Sequence, residues 1–556
     1  MILSGAEIII KYLEHAGVEI VTGIPGGANL PIYDSLSRSK IRHILARHEQ
    51  GAGFIAHGMA RSTGKTSVCL ASSGPGATNL LTAIADAKLD SVPIIAITGQ
   101  VPAKLLGTDA FQEVDTCGIT RSITKHNYLV KSAEELVEIL PQAFDLAISG
   151  RPGPVLIDIP KDVQLEKIEF EGWTENKMRK NLPPIPSIRI KKIAEMIHNS
   201  NRPVLYIGGG IVNSGSSELV KELSHKNSIP VALSLMGLGA FPSSDPLCLG
   251  MLGMHAARYT NHMLDEADLI LAFGVRFDDR ATGNVNEFCK YARIVHIDID
   301  RAEINKIKST ALPLVGNIHY VLKELNQIIN KDNRTGWLSR IKELKVKYSV
   351  VKPDKGDLCN PAYLIMRIGE LADKDAIITT DVGQHQMWVA QVYPFEYPRS
   401  LITSGGLGTM GFGLPAAIGV ALANPGKCVI NISGDGSVFM NIQELATLAE
   451  LNLNVKIIIF NNRHLGLVRQ QQEMFYNNNI YASRFESDVD FTEIGRAFGI
   501  KSYNLGDEDT QKNLSGLLSG HGPVLINAPV LFSENVLPIV PPGMANRDMI
   551  IDEKSM

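Results

Sequence analysis

Cysteine is scarce in this sequence, with six residues among 556. The six are scattered, and no two of them have the C-x-x-C spacing of a zinc ligand pair. Disulfide frameworks belong mainly to small secreted domains that cannot build a sufficient hydrophobic core. The sequence therefore argues against a disulfide scaffold and against a structural zinc site, and a reducing cytosol is the simplest compartment.

A large excess of charge and long apolar runs are also missing. The formal net charge is −4, and no long block of lysine and arginine indicates a nucleic-acid-binding surface. The longest apolar stretches, such as Val455–Phe460, have the length of a strand and are far too short to span a bilayer. The first residues contain no basic leader segment. We therefore expect a soluble, cytoplasmic protein that binds neither nucleic acid nor membrane.

What the sequence does have is a repeated alternation of helical segments and short apolar strands, which is typical of parallel sheets. Its length exceeds the ~250–300 residues at which a single hydrophobic core stops growing. We predict an α/β fold with three doubly wound parallel-sheet domains at residues 1–165, 187–330 and 358–530, followed by a tail at 531–556. Two polar connections, 165–187 and 328–358, separate them. The predicted strands are Ile20–Thr22, Ile41–Ala46, Ser67–Ala71, Ile94–Thr98, Val155–Ile159, Val204–Ile207, Val231–Leu233, Leu269–Phe273, Ile294–Asp298, Ala376–Thr380, Cys428–Ile432, Val455–Phe460 and Val524–Asn527.

Two neighbouring strands of the third domain end in polar residues suited to a metal. One strand leads into Gly434-Asp435-Gly436-Ser437, and the next along the chain ends in Asn461-Asn462. Ligands bind at the carboxyl ends of parallel strands, so Asp435 and Asn462 are expected to lie together. Magnesium prefers hard oxygen ligands and is often shared with substrate phosphates. The glycines allow phosphate to approach the backbone at a helix N-terminus, which favours its charge.

This pair of motifs resembles the diphosphate-binding motif of the thiamine-diphosphate enzyme superfamily. The resemblance implies a Mg²⁺ ion held by Asp435, Asn462 and the backbone carbonyl of His464. It also implies that Met410 is an apolar wedge behind the thiazolium ring, and that the first and third domains bind the pyrimidine and the diphosphate. The residues that it places at the cofactor are Pro75, Asn79, Val382, Gly383, Gln384, His385, Gly408, Met410, Gly434, Gly436, Ser437, Leu465, Gly466 and Leu467.

Glu49 is the candidate acid of the first domain. It follows a predicted strand and opens a glycine-rich helix, as the catalytic glutamate of this superfamily does. A carboxylic acid beside the aminopyrimidine ring would shift that ring towards the form that activates the cofactor. In this family the glutamate and the metal meet across a subunit interface, so a homodimer is implied. By the same resemblance Gly26 and Gln112 line the reacting centre, Phe111 forms an apolar wall, and Lys161 lies near the substrate entrance.

The middle domain indicates which family of this superfamily the sequence resembles. Its string Arg276-Phe277-Asp278-Asp279-Arg280 resembles that of the biosynthetic acetohydroxyacid synthases, and the resemblance extends over about residues 3–544. It implies a structural FAD and a reaction that decarboxylates pyruvate and joins the two-carbon unit to a second 2-oxo acid, pyruvate or 2-oxobutyrate, for branched-chain amino acid biosynthesis. The residues expected to contact FAD are Arg151, Gly208, Gly209, Gly210, Leu252, Gly253, Met254, His255, Gly274, Arg276, Asp278, Arg280, Asp298, Ile299, Gly316 and Asn317.

Gln471 departs from the family pattern, because most members have tryptophan at its position, where it favours 2-oxobutyrate as acceptor. We therefore expect weak discrimination between the two acceptors. Alternatives that the sequence leaves open are a flavin-dependent pyruvate oxidase, a flavin-free catabolic acetolactate synthase and a non-catalytic scaffold of the same fold. A plain decarboxylase is disfavoured because the first domain has no paired histidines. A small regulatory subunit and a pairing of dimers also stay open.

Overall fold

The computed structural model describes residues 1–173, 185–349 and 356–552. Parts of both predicted connections, including Leu182–Pro184 of the proline-rich stretch, lie outside these residues. The strands of the first domain are β1 (Ile2–Ser4), β2 (Ile20–Gly23), β3 (Arg42–Leu45), β4 (Ser67–Ala71), β5 (Ile94–Gln100), β6 (His126–Leu129), β7 (Val155–Pro160) and β8 (Lys167–Glu169). Its helices are α1 (Gly5–His15), α2 (Leu30–Leu36), α3 (Glu49–Thr63), α4 (Pro75–Asn79), α5 (Leu81–Leu89), α6 (Thr116–Thr120), α7 (Ala133–Ile148) and α8 (Lys161–Leu165).

The central domain has a second sheet. Its strands are β9 (Pro203–Ile207), β10 (Val231–Leu233), β11 (Cys248–Met251), β12 (Leu269–Phe273), β13 (Arg293–Asp298) and β14 (Leu312–Val315). Its helices are α9 (Ser187–His198), α10 (Gly209–Asn213), α11 (Ser217–Asn227), α12 (Arg258–Glu266), α13 (Asp279–Thr282), α14 (Ile318–Ile328) and α15 (Thr335–Lys347).

The third domain repeats the plan. Its strands are β15 (Ile377–Thr380), β16 (Leu401–Ile402), β17 (Val429–Gly434), β18 (Val455–Asn461), β19 (Lys501–Asn504) and β20 (Val524–Pro529). Its helices are α16 (Pro361–Leu371), α17 (Gln384–Val392), α18 (Gly413–Ala423), α19 (Asp435–Val438), α20 (Glu444–Leu451), α21 (Gly466–Phe475), α22 (Phe491–Ala497), α23 (Glu508–Lys512) and α24 (Leu514–Ser519).

Each domain is built on a six-stranded parallel sheet, which confirms the predicted α/β class. The strand orders are β3-β2-β4-β5-β7-β6, β11-β10-β9-β12-β13-β14 and β16-β15-β17-β18-β20-β19. In each sheet the chain first builds outward on one side of its first strand and then crosses to the other side, which creates a switch point between β2 and β4, between β9 and β12, and between β15 and β17. Ligands of such sheets bind beyond the carboxyl ends of the strands at this switch point. Candidate residues of all three domains lie at or after strand ends of these sheets, such as Glu49 after β3, Asp298 at the end of β13 and Asp435 after β17.

The predicted polar connection at 328–358 contains helix α15, which the polar composition did not predict. Trp337, Ile341 and Leu344 are buried in a cluster with residues of the central sheet. They recur at the i, i+4, i+7 spacing of one helical face, and the charged residues that dominate the composition occupy the other face. The domain boundaries themselves stay predictions.

The first and third domains of one chain share a hydrophobic core through helices α3 and α18. A methyl group at Gly58 would lie 2.2 Å from the carbonyl oxygen of Ala416, and one at Gly419 would lie 2.0 Å from that of Ile55. The two helices therefore pack backbone against backbone, which only glycine permits. A second core joins the central and third domains. None of the helices in the described part of the chain has both the length and the apolar character that a membrane crossing requires.

Candidate active site

The structure brings the predicted metal ligands to adjacent strand ends. Strands β17 and β18 pair in parallel, with Gly434 opposite Phe460, so that Asp435 and Asn462 follow neighbouring strands. Asp435 is 4% exposed, and the Oδ1 atom of its carboxylate accepts a hydrogen bond from the Gly436 N–H at 2.9 Å. Its Oδ2 atom is buried and has no hydrogen-bond partner. Burial raises the pKa of Asp435 to about 7, and nearby backbone amides limit the rise.

A buried carboxylate oxygen without a partner is costly, because a charged group in the interior needs a counter-charge or hydrogen bonds. A divalent cation beside Oδ2 would remove that cost. Asn462 supplies a side-chain oxygen nearby in the fold, and that oxygen accepts the His464 N–H at 3.0 Å. The His464 ring stacks on Phe532 at 5.4 Å, so a contact with the ion would come from the backbone and not from the imidazole. The donor set is the hard oxygen set that suits Mg²⁺.

Two residues at the start of α17 complete this edge of the sheet. The His385 Nε2 atom is buried without a hydrogen-bond partner, and burial lowers the pKa of the imidazole to about 3. His385 is therefore neutral and retains a free polar nitrogen for a ligand. The Gln384 side chain instead donates to Gln470 and to the Glu534 carbonyl, both at 2.9 Å. Contact of Gln384 with a diphosphate would thus come from its backbone at the helix N-terminus.

Glycines keep the space around these groups open. A methyl group at Gly434 would meet the His385 ring at 3.0 Å, one at Gly436 would meet Leu465 at 2.7 Å, and one at Gly466 would meet Gln384 at 2.1 Å. Ser437 is buried and closes a turn with Gly434, because its hydroxyl accepts the Gly434 N–H at 3.1 Å. No larger residue fits the first three positions without displacing a neighbour. The sequence motif thus reflects close packing as well as ligand access.

Asp381 is a candidate site residue that the sequence reasoning did not single out. It follows β15 directly and is fully buried. Its carboxylate accepts the Gly411 N–H at 2.6 Å and the Ser433 hydroxyl at 3.1 Å. It therefore fixes the loop that carries Gly408 and Met410 to the strand that ends at the predicted metal ligand Asp435. Burial raises the pKa of Asp381 to about 6.

The first domain gathers a second cluster at the ends of β2, β3 and β4. The Glu49 Oε2 atom accepts the Asn79 amide at 2.9 Å. A methyl group at Gly76 would lie 3.3 Å from Glu49 Oε1, so this glycine leaves the second carboxylate oxygen accessible. The turn at Gly26 packs on Ser72 of the same strand–helix junction that carries Pro75. Glu49, Gly26, Pro75 and Asn79 therefore share one edge of the sheet.

In the single chain, the loop that carries Phe111 and Gln112 is exposed to solvent. Phe111 is 87% exposed, which is unusual for a large apolar side chain. Gln112 has φ = +60°, a conformation that costs energy for a residue other than glycine, and it packs against Gly74. Glu113 holds the loop by accepting the Thr108 and Ala110 N–H groups, both at 3.2 Å. Lys161 begins α8 and is partly exposed.

A cavity of about 760 Å³ opens at the switch point of the central sheet. A cleft of this size suits a cofactor. All but three of the predicted FAD-contacting residues line it: Arg151, Gly209, Gly210, Leu252, Met254, His255, Gly274, Arg276, Asp278, Arg280, Asp298, Ile299 and Asn317. Gly208, Gly253 and Gly316 are not among the lining residues and instead make close packing contacts with Gly274, Arg280 and Ile185.

The same cavity reaches the third domain, where Val382, Gly408, Leu467 and Gln471 line it. It therefore joins the predicted FAD region to the diphosphate edge. Gln471 is exposed on its wall. Among the residues that line the cavity in the described part of the chain, none belongs to the Glu49 cluster.

Comparison with known proteins agrees with this layout. Residues 3–119, 190–325 and 381–528 match the N-terminal TPP binding domain, the central domain and the C-terminal TPP binding domain of the thiamine pyrophosphate enzymes. Isozyme 1 large subunit of acetolactate synthase from Escherichia coli is 52% identical over 549 residues, which cover 98% of this chain and 97% of that protein. The chain belongs to the acetolactate synthase family. The isozyme 2 large subunit from the same organism is 43% identical over 99% of both chains, and the chloroplastic acetolactate synthase 1 of Nicotiana tabacum is 46% identical over 99% of this chain and 85% of its own.

Two further acids were missed by the sequence reasoning. Asp86 and Asp90 of the first domain contact residues 404–406 of the third domain, about 320 residues along the chain. Their only local signal is the i, i+4 spacing on one helical face, which most helices show for structural reasons. A contact between residues so far apart in sequence leaves no local pattern, so neither acid could be recognised from the sequence.

Proposed function

We propose that this chain is the catalytic subunit of an acetolactate synthase that uses thiamine diphosphate, Mg²⁺ and FAD. It decarboxylates pyruvate and joins the remaining two-carbon unit to a second 2-oxo acid, pyruvate or 2-oxobutyrate. The observation that carries the proposal is the presence, in a chain 52% identical to an acetolactate synthase, of Glu49 with a free carboxylate oxygen and of Asp435 with an unpartnered one. A scaffold without chemistry would have no reason to keep both.

Asp435, Asn462 and the His464 carbonyl would hold the magnesium ion, and Gly434, Gly436, Ser437 and His385 would surround the diphosphate. The orphan oxygen of Asp435 and the orphan nitrogen of His385 are the two buried polar atoms that such a ligand would satisfy. Because the pKa of Asp435 is about 7, a bound cation also favours the ionised form of the carboxylate. The chain therefore fits the metal and the diphosphate together.

Thiamine diphosphate, when bound, supplies a carbanion that attacks the 2-oxo acid and an electron sink for decarboxylation. Glu49 would contact the pyrimidine through the carboxyl oxygen that Asn79 leaves free, and would exchange a proton with it there. Asn79 fixes the rotamer of Glu49 through the other oxygen. Once a partner chain covers this edge, Phe111 and Gly26 would exclude water from the reacting centre and leave room for the acceptor. Glu49 thus moves the proton, and its neighbours position it.

The complete site requires two chains in this proposal. The Glu49 cluster does not line the cavity of its own chain, and Phe111 is exposed beside it. A partner chain that covers this edge would bury Phe111 and supply the diphosphate half, which the isologous symmetry of a homodimer does twice. Both Escherichia coli relatives are named large subunits, which supports a small regulatory subunit for this chain as well. A cytoplasmic location stays a prediction.

We assign the 760 Å³ cavity to a structural FAD. Gly210 and Gly274, which both line the cavity, approach so closely that a methyl group on Gly210 would lie 2.6 Å from the Gly274 Cα atom, so neither position has room for a side chain. Arg151 is fixed at its edge by Glu303 at 2.7 Å and Ser91 at 2.8 Å. The flavin needs no redox role, because the ligation of two 2-oxo acids with loss of carbon dioxide involves no net oxidation.

Product identification tests the proposal. The purified chain is incubated with pyruvate, thiamine diphosphate and Mg²⁺, and the products are analysed by chromatography. We expect acetolactate and carbon dioxide, with bound flavin visible by its absorbance and not reduced by pyruvate. Acetate formation with flavin reduction would instead identify an oxidase, and the absence of any product from a cofactor-loaded chain would revive the scaffold hypothesis.

A further inference from the structure

The cofactor loop of the third domain, residues 404–409, is held by the first domain of the same chain. The Asp86 Oδ2 atom accepts the Ser404 hydroxyl at 2.5 Å and the Thr409 hydroxyl at 2.7 Å, so that one oxygen pins both ends of the loop. The Ser404 hydroxyl in turn accepts the Thr409 N–H at 2.8 Å. Asp86 therefore closes the loop on itself.

Asp90 lies one helical turn further along and binds the middle of the loop. Its two carboxylate oxygens accept the Gly405 N–H at 3.0 Å and the Gly406 N–H at 2.7 Å. A methyl group at Gly406 would lie 2.9 Å from Asp90, so a larger residue could not keep this contact. Asp86 and Asp90 of the first domain thus orient successive residues of a loop that belongs to the third domain.

Arg61 balances this charge. Its guanidinium donates to Asp90 at 3.1 Å and to the Thr403 carbonyl at 2.6 Å, immediately before the loop. The side chain of Asp90 is fully buried and that of Arg61 is 13% exposed. Buried ion pairs contribute little net stability against apolar replacements, but they fix geometry, since losing one partner strands the other. A buried charged network at this junction is therefore better explained by positioning than by stability.

The loop is part of the cavity wall. Gly405, Gly406, Leu407 and Gly408 all line it, and Asp381 anchors the next turn at Gly411. The loop is therefore defined from one side by its own domain and from the other by Asp86 and Asp90. We propose that Asp86 and Asp90 are positioning residues that fix loop 404–409 in the conformation that binds thiamine diphosphate. This inference rests on the proposed function.

Asp90→Ala and Asp86→Ala test the inference. Asp86→Ala removes two hydrogen bonds to the loop, and Asp90→Ala removes two hydrogen bonds to the loop together with the ion pair to Arg61. The dissociation constant for thiamine diphosphate, measured by calorimetry on the cofactor-free chain with saturating Mg²⁺, should therefore rise about tenfold or more. Turnover at saturating thiamine diphosphate should return towards the wild-type value, since neither residue touches the substrate. Asp86→Asn keeps an acceptor oxygen for both hydroxyls and should restore most of the affinity.

Asp268→Ala is the matched control. The Asp268 carboxylate also accepts one hydroxyl, that of Ser200, and two backbone N–H groups, at 2.9 and 3.0 Å, but it lies at the opposite end of the central sheet. It should lower the melting temperature of the cofactor-free chain as the other two variants do and leave the dissociation constant unchanged. If Asp90→Ala and Asp86→Ala behave like Asp268→Ala, the positioning role is refuted.

Thr409→Val gives a second test on the loop side. It should raise the dissociation constant for thiamine diphosphate in the wild-type background and change it little in the Asp86→Ala background, because Thr409 and Asp86 form a single hydrogen bond with each other. Additive effects would contradict the inference even if either variant folds poorly. Failure of the wild-type chain to bind thiamine diphosphate would overturn the proposed function instead, so the two failures are distinguishable.

Discussion

The first and third domains each present one cluster of candidate residues at the carboxyl edge of a sheet. The cluster at Asp435 and His385, called the diphosphate edge, and the cluster at Glu49 and Asn79, called the pyrimidine edge, differ in how deeply they are buried. At the diphosphate edge, Asp435 is almost fully buried, and an oxygen of Asp435 and a nitrogen of His385 lack partners inside the protein. At the pyrimidine edge, Glu49 is only half-buried and Phe111 is 87% exposed. Both edges follow the switch point of a six-stranded parallel sheet.

The difference indicates what each edge still lacks. Buried polar atoms without partners require a small, charged ligand that fits a preformed pocket. An exposed aromatic side chain beside the proposed catalytic acid suits an apolar contact surface, which another chain can provide. In the proposed function, the edge at Asp435 is therefore a preformed site for one end of the cofactor, and the edge at Glu49 is half of a site that a partner chain would complete.

Glu49→Gln should have the largest effect on activity and none on the diphosphate edge. The amide retains the shape and the Asn79 contact but cannot transfer the proton, so turnover should fall about 10²–10⁴-fold. Thiamine diphosphate and Mg²⁺ should still bind, as judged by calorimetry. The control is Glu19→Gln, an exposed acid of the same domain. A fall in cofactor affinity equal to the fall in turnover would mean that the two edges are not separable.

Asp435→Asn should raise the free energy of unfolding of the metal-free chain and abolish Mg²⁺-dependent cofactor binding at the diphosphate edge. The pKa of Asp435 is about 7 in the folded chain and near 3.8 when unfolded, so the metal-free fold favours the protonated acid. The resulting penalty is absent below pH 4, grows between pH 4 and 7 and is constant above pH 7. Replacement by asparagine should therefore stabilise the metal-free chain at pH 8 by about 2–4 kcal/mol, with little change at pH 4.

Chemical denaturation at the two pH values measures this difference. The same variant should lose Mg²⁺-dependent binding of thiamine diphosphate, because it removes the anionic oxygen that the ion needs. In the wild type, that binding should strengthen as the pH rises through 7, where Asp435 ionises. Equal destabilisation of the variant at both pH values would contradict the assignment of an unpartnered carboxylate.

Phe111→Ala tests the open edge. Because the side chain is exposed on the single chain, the free energy of unfolding of a dilute monomer should change by less than about 0.5 kcal/mol. If a partner chain or substrate covers it, the specificity constant for pyruvate should fall about tenfold or more, as the loss of a buried aromatic contact predicts. Tyr291→Ala, at 79% exposed and away from the cavity, is the matched control and should change neither quantity.

Gln471→Trp should have the smallest effect. Gln471 is exposed on the cavity wall, so an indole there can add apolar contact with the extra methyl group of 2-oxobutyrate. A contact of this kind gives about 1–3 kcal/mol of discrimination. Competition between pyruvate and 2-oxobutyrate, scored by the ratio of the two acetohydroxyacids, should show weak preference in the wild type and a clear bias to the 2-oxobutyrate product in the variant. An unchanged ratio would exclude this wall from acceptor selection.

The central strands of all three sheets were predictable because they are continuous apolar runs. Edge strands β6, β11, β14, β16 and β19 were not, since strands at sheet edges are short, partly exposed or irregular and leave a weak pattern. Asp435 and Asn462 could be found because each follows a central strand. Asp86, whose partners lie in another domain, could not, because tertiary packing alone brings it to the loop.

Glu49 of one chain is proposed to act on the cofactor held by Asp435 of another. Mixing the inactive variants Glu49→Gln and Asp435→Asn, with subunit exchange under mild denaturant and refolding, tests it directly. Shared sites predict that each mixed dimer regains one intact site, so an equal mixture should recover about a quarter of the wild-type activity. If each site were built from a single chain, both sites of every mixed dimer would remain defective and the mixture would stay inactive.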